Sequence, residues 1–90
     1  PYCSSKAGLV SLTKGLARTL SPEVQVNGIA PGTVMTPPDN VEMDFSSSVE
    51  QSLLKRIGSA EDIVQAVEYL LLSDFVTGTI LPVDGGRSVY

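Results

Sequence analysis

The segment VQVNGIAPG, Val24 to Gly32, decides the fold. Its β-branched residues and its length suit a strand, and Pro31-Gly32 imposes a break where that strand ends. Upstream, Tyr2 to Leu20 follows a helical period. At about 100° per residue, Leu9, Leu16 and Leu20 cluster on one side with Leu12 at its edge, while Ser4, Ser11, Lys14 and Arg18 lie away from it. The leucine side is therefore the expected buried face. Ser21-Pro22 ends the helix, because the residue before a proline is pushed out of the α region.

Downstream, Thr33 to Ser48 is rich in Pro and Ser and has no sustained period, which predicts a long loop with room for one helical turn. Ser59-Ala60-Glu61-Asp62 announces a second helix, with Ser59 as N-cap and Asp62 in the capping-box position. That helix carries Ile63, Val67, Leu70 and Leu71 on one stripe and ends near Ser73. TILPVD, Thr79 to Asp84, reads as a second strand closed by Gly85-Gly86, and Pro82 suits an edge because it cannot donate to a ladder.

The order is helix, strand, loop, helix, strand. Two strands joined through a helix predict a right-handed crossover and parallel pairing. A two-stranded parallel sheet needs more cover than this chain supplies. The chain also starts at Pro and directly in a helical pattern. Together these predict one segment, residues 1–90, of a single larger α/β domain that is incomplete on its own.

Composition narrows the chemistry. Ninety residues with 42% hydrophobic and 18% charged content describe a globular interior, and a net charge of −4 offers no basic footprint for nucleic acid or anionic lipid. The longest apolar run, Tyr69 to Leu72, is far too short for a membrane span. The single cysteine, Cys3, favours a reducing, cytoplasmic setting. With no histidine, Ser-His and Cys-His nucleophiles are excluded within the chain, and no metal site is expected. Tyr, Lys and carboxylates remain for proton chemistry.

Tyr2 and Lys6 stand four residues apart, about 40° apart on the wheel and among the leucines. An ammonium beside a phenol favours phenolate, lowering a pKa of about 10 toward the range of a general acid or base. Taken alone, the pair is equally a first-turn Tyr with a snorkelling Lys. Pro31-Gly32 alone is a turn, and Cys3 is a packing residue.

In combination, Tyr2-Cys3-Ser4-Ser5-Lys6-Ala7-Gly8-Leu9, Val26-Asn27-Gly28-Ile29-Ala30-Pro31-Gly32, Thr77-Gly78 and Val83-Asp84-Gly85-Gly86 resemble the C-terminal part of a short-chain dehydrogenase/reductase, in that family's order and spacing. The resemblance implies the C-terminal part of a Rossmann-like, doubly wound parallel sheet. It implies Tyr2 as catalytic acid/base and Lys6 as the group that lowers its pKa and bonds the nicotinamide ribose. Pro31, Gly32, Val34 and Thr36 would adjoin a bound NADP or NAD, with NADP preferred. Residues 37–56 would form a substrate lid, to which Val41, Met43, Phe45 and Val49 could contribute.

Asn27 and the Asp84-Gly85-Gly86 turn would be structural. LLKRIGSAEDI, Leu53 to Ile63, and the ending VDGGRSVY most resemble pterin reductases, the rivals being a 3-oxoacyl-thioester reductase and a catalytically silent relative. The implied partners are an N-terminal portion carrying the glycine-rich turn, a small-molecule substrate, and further copies in a homodimer or homotetramer built on the stripe Ser4, Gly8, Ser11, Gly15 and Thr19. Nucleic acid and membrane are not expected.

Overall fold

The computed structural model describes residues 2–32 and 46–90, with side chains from Lys6 onward. Helix α1 spans Tyr2–Leu20, strand β1 Gly28–Pro31, helix α2 Ser46–Glu50, helix α3 Ala60–Leu72 and strand β2 Ile80–Val83, followed by a 3₁₀ turn at Arg87–Val89. The strands pair in parallel, Gly28 opposite Ile80 through Pro31 opposite Val83, as the helix-linked order predicts.

The first helix stops before Pro22, where the Ser21 N–H still donates to the Ala17 carbonyl. Within these residues it packs through its small side chains. Leu9, Leu12, Leu16 and Leu20 are exposed, whereas Ala17 is buried and Val10 and Thr13 are half-buried. The cause lies in the strands. A Cβ on Gly28 would stand 3.7 Å from Thr13 Oγ1, and one on Gly78 would stand 3.5 Å from Ala17 Cβ. Small residues on the helix meet glycines at and just before the strand starts, and the leucines are left outside this contact.

β1 begins four residues later than the sequence suggests, because side chains replace its first ladder bonds. Gln25 Nε2 donates to the carbonyls of Ser73 and Val76, and the Val26 N–H donates to Thr77 Oγ1. Asn27 Nδ2 donates to the Val76 carbonyl at 2.9 Å, while its Oδ1 accepts the Thr79 N–H at 3.1 Å. Asn27 is thus the structural residue it was expected to be.

Helix α3 starts and stops at the foreseen caps, Ser59 and Ser73. Asp62 Oδ2 accepts the Ser59 N–H at 2.8 Å, the return half of the capping box. Its packed stripe is Ile63, Ala66 and Leu70, while Val67 and Leu71, expected on it, are exposed. Among the described residues Ala17 and Ala66 are the buried apolar side chains, and no large side chain is fully enclosed.

Candidate active site

Parallel strands direct both of their carboxyl ends to one edge, where ligands of open α/β sheets sit. Here that edge is Pro31-Gly32 after β1 and Asp84 after β2. The two ends are joined: the Gly32 N–H donates to the Val83 carbonyl at 2.9 Å, and a Cβ on Gly32 would lie 2.8 Å from both Cα and Cβ of Asp84. Only a residue without a side chain fits there. Pro31 is exposed at the rim.

The register of α1 brings its first turn to the same edge. Ala17 lies against Gly78, before β2, and Thr13 against Gly28, at the start of β1, so the helix read backwards runs along the strand direction. Lys6 is seven residues from Thr13, roughly 10 Å along the axis. Gly28 to Gly32 covers roughly 13 Å of strand. Extrapolated along the axis from Thr13, Lys6, which is exposed, falls toward the Pro31-Gly32 end. Tyr2 belongs to the helical turn before it, and its side chain lies outside those described. Val34, Thr36 and residues 37–45, with Val41, Met43 and Phe45, also fall outside the described residues; Val49 is half-buried on α2.

After β2 the backbone folds tightly. Gly85 and Gly86 adopt φ of 62° and 89°, the left-handed region that glycine tolerates. Asp84 Oδ1 accepts the Gly86 N–H at 2.9 Å and Oδ2 the Ser88 N–H at 3.2 Å. Desolvation acts to raise the Asp84 carboxyl pKa, but the bonds from the Ser88 side chain and from the Gly86 and Ser88 amides outweigh it and hold the group below its ordinary value. The double glycine is a structural turn, as its sequence suggests.

Sequence reasoning missed what seats on that turn. Ser52, 3% exposed, donates through Oγ to the Gly85 carbonyl at 3.1 Å. Beyond it, Arg56 makes a forked ion pair with Asp62, Nη1 to Oδ2 at 3.0 Å and Nη2 to Oδ1 at 3.1 Å. The Arg56 bond, and then the Ser59 amide, hold the Asp62 carboxyl well below the usual carboxylate range. Nothing local in the sequence marks Ser52, because its partner is 33 residues away.

An open cleft of about 340 Å³ lies between residues 48–65 and the end of β2, with Arg56, Asp62, Asp84 and Arg87 on its walls. It touches neither Lys6 nor Pro31-Gly32. This cleft offers an ion pair and a turn-bound carboxylate, both already engaged.

Among the described residues no group of His, Cys, Asp and Glu is arranged to hold a metal ion, and no helix is long and apolar enough to cross a membrane.

Comparison with known proteins identifies the family. Residues 1–88 match the family model described as enoyl-(acyl carrier protein) reductase. A dihydromonapterin reductase of Escherichia coli is 41% identical over 86 residues, which are 96% of this chain and 36% of that protein. A Serratia marcescens short-chain dehydrogenase/reductase superposes with a TM-score of 0.83 at 39% identity, over 97% of this chain and 37% of that one. The Brucella canis FolM alternative dihydrofolate reductase 1, solved with NADP, gives 0.82 at 31% identity, over 99% of this chain and 34% of that one. The chain thus spans about a third of the length of these relatives. The family-model match over residues 1–88 and these identities show that the chain belongs to the short-chain dehydrogenase/reductase family, as a C-terminal portion.

Proposed function

We propose that these residues form the C-terminal portion of a nicotinamide-dependent oxidoreductase that reduces a pterin-type or carbonyl substrate, with Tyr2 as proton donor and acceptor. The observation that carries the reading is the register of α1, whose contacts of Thr13 with Gly28 and of Ala17 with Gly78 run the helix start toward the strand-end edge where parallel sheets hold nucleotides. An exposed ammonium beside a strand end with an exposed rim residue suits a sugar hydroxyl and phosphate, so the residues fit a dinucleotide. Lys6 and Pro31-Gly32 would hold it, joined by Val34 and Thr36, and when bound it supplies the hydride.

The Tyr2 hydroxyl carries the proton to the substrate atom that gains electron density. Lys6, one turn on, favours the ionised phenol and so eases release of its proton; the phenolate takes a proton back from solvent before the next transfer. NADP is the preferred coenzyme, supported by the NADP complex of the Brucella canis relative. The pterin reading is supported by the dihydromonapterin reductase identity. A 3-oxoacyl thioester is the rival substrate, favoured by the acyl-carrier wording of the family model.

The remaining two-thirds seen in the relatives would provide the glycine-rich turn. Among the described residues nothing outside the helix lies within 4 Å of a Cβ built on Gly8 or Gly15, which suits the small-residue stripe of α1 to a second copy in a homodimer or homotetramer. A cytoplasmic location rests on the lone cysteine.

The test uses the full-length protein containing these residues. Nicotinamide absorbance should fall with a dihydropterin faster than with a 3-oxoacyl thioester, and Tyr2→Phe should lower kcat about 10²- to 10⁴-fold. Turnover unaffected by Tyr2→Phe would overturn the role of Tyr2. Absence of nicotinamide binding would overturn the enzyme reading. Light scattering that finds a monomer would remove the assembly.

A further inference from the structure

Residues 52–55 and 85–90 meet through four separate interactions. Ser52 Oγ donates to the Gly85 carbonyl at 3.1 Å, and the Leu54 N–H donates to the same oxygen at 3.0 Å. The space a Cβ would take on Gly86 is filled by Leu53, whose Cβ lies 2.7 Å from that position. Lys55 Nζ stands 5.4 Å from the centre of the Tyr90 ring and donates to the Glu50 carbonyl at 2.7 Å. A Cβ on Gly85 would lie 2.5 Å from Ser52 Oγ. The two glycines are therefore required twice, by their positive φ and by the closeness of the chain seated on them.

The same turn reaches the strand-end edge. Asp84 fills the space beside Gly32, and the Val83 carbonyl accepts the Gly32 N–H. An unbroken series of tight contacts thus runs from the end of β1 through Asp84 and Gly85 to Ser52. Among the described residues Ser52 is the buried polar side chain, and its hydroxyl is spent on this bond.

We infer that Ser52 is a positioning residue: its hydroxyl fixes residues 46–56 on the Gly85-Gly86 turn and, through that turn, at a set distance from the end of β1. Its bearing on substrate rests on the proposed function together with the expectation that residues 37–56 form a substrate lid. The Gly85 carbonyl keeps the Leu54 donor when the hydroxyl is removed, so no buried acceptor is orphaned. Ser52→Ala should therefore loosen the seat without unfolding the protein.

The experiment is hydrogen exchange and steady-state kinetics on the full-length protein and its Ser52→Ala, Gly85→Ala and doubly substituted forms. In Ser52→Ala, amide exchange over residues 46–56 should accelerate about three- to tenfold, the range one net hydrogen bond supports, with α1 and β1 unchanged. Substrate KM should rise by a similar factor while coenzyme KM and kcat hold. Gly85→Ala should give the same pattern more strongly, and adding Ser52→Ala to it should relieve part of the effect, because the clashing oxygen is gone. Unchanged exchange over 46–56, strictly additive effects, or a parallel loss of substrate and coenzyme binding would each overturn the assignment. Failure of the unsubstituted protein to turn over nicotinamide would overturn the functional reading instead, and the exchange data would still decide the anchoring role of Ser52.

Discussion

Gly32 bears the tightest constraint at the strand-end edge. Its missing side chain is what lets Asp84 Cα approach, and the obstacle to any replacement is largely backbone, which cannot swing aside as a long side chain can. Gly32→Ala should destabilise the full-length protein by about 1–3 kcal/mol, the usual cost of overpacking, read as a lowered midpoint in denaturant with an unchanged slope. The sequence marked this residue through Pro31-Gly32 but for another reason, as a chain break. Tyr2 and Lys6 were legible for the opposite reason: their relation is four residues along one helix, which the chain encodes locally.

At the scale of elements, the lead-in to β1 and the start of α3 are each held by side chains standing in for backbone. Asn27 satisfies both the Val76 carbonyl and the Thr79 N–H. Asn27→Ala should cost about 1–3 kcal/mol of stability, since two polar groups lose their partner, while activity per folded molecule is retained. A loss of kcat without loss of stability would assign Asn27 to chemistry instead.

At α3, Asp62 joins the Ser59 amide to the Arg56 guanidinium, and its folded pKa is depressed below the ordinary 3.8. A depressed carboxylate contributes stability that is complete above its unfolded pKa and is lost as pH falls toward the folded value. Stability owed to this cap should therefore be flat from neutrality down to about pH 4 and decline below it. In Arg56→Gln the folded and unfolded values move closer, so the acid decline should be shallower, measured by denaturant titration across a pH series. Asp84, depressed by its own turn, should keep a residual decline in the same window.

For the whole molecule, the dominant fact is how little the two strands and three helices enclose. Phe75 is 98% exposed, Leu72 87% and Leu9 62%, and no large side chain is fully enclosed among the described residues. Parallel strands are stable with both faces covered, so residues 1–90 taken alone should bind a hydrophobic dye and associate as concentration rises. Phe75→Lys with Leu72→Lys should reduce both effects in the isolated segment. A dye-silent monomer with a sharp unfolding transition would show that these elements suffice by themselves.

By itself the sequence determined the order of the main elements, the parallel pairing and the helix limits at Pro22, Ser59 and Ser73, because caps, prolines and period act over a few residues. Tertiary structure alone decided that α1 meets Gly28 and Gly78 through Thr13 and Ala17, and that Ser52 seats on Gly85. Both depend on which distant glycines leave room for an approaching chain, and that space exists only once residues tens of positions apart have met.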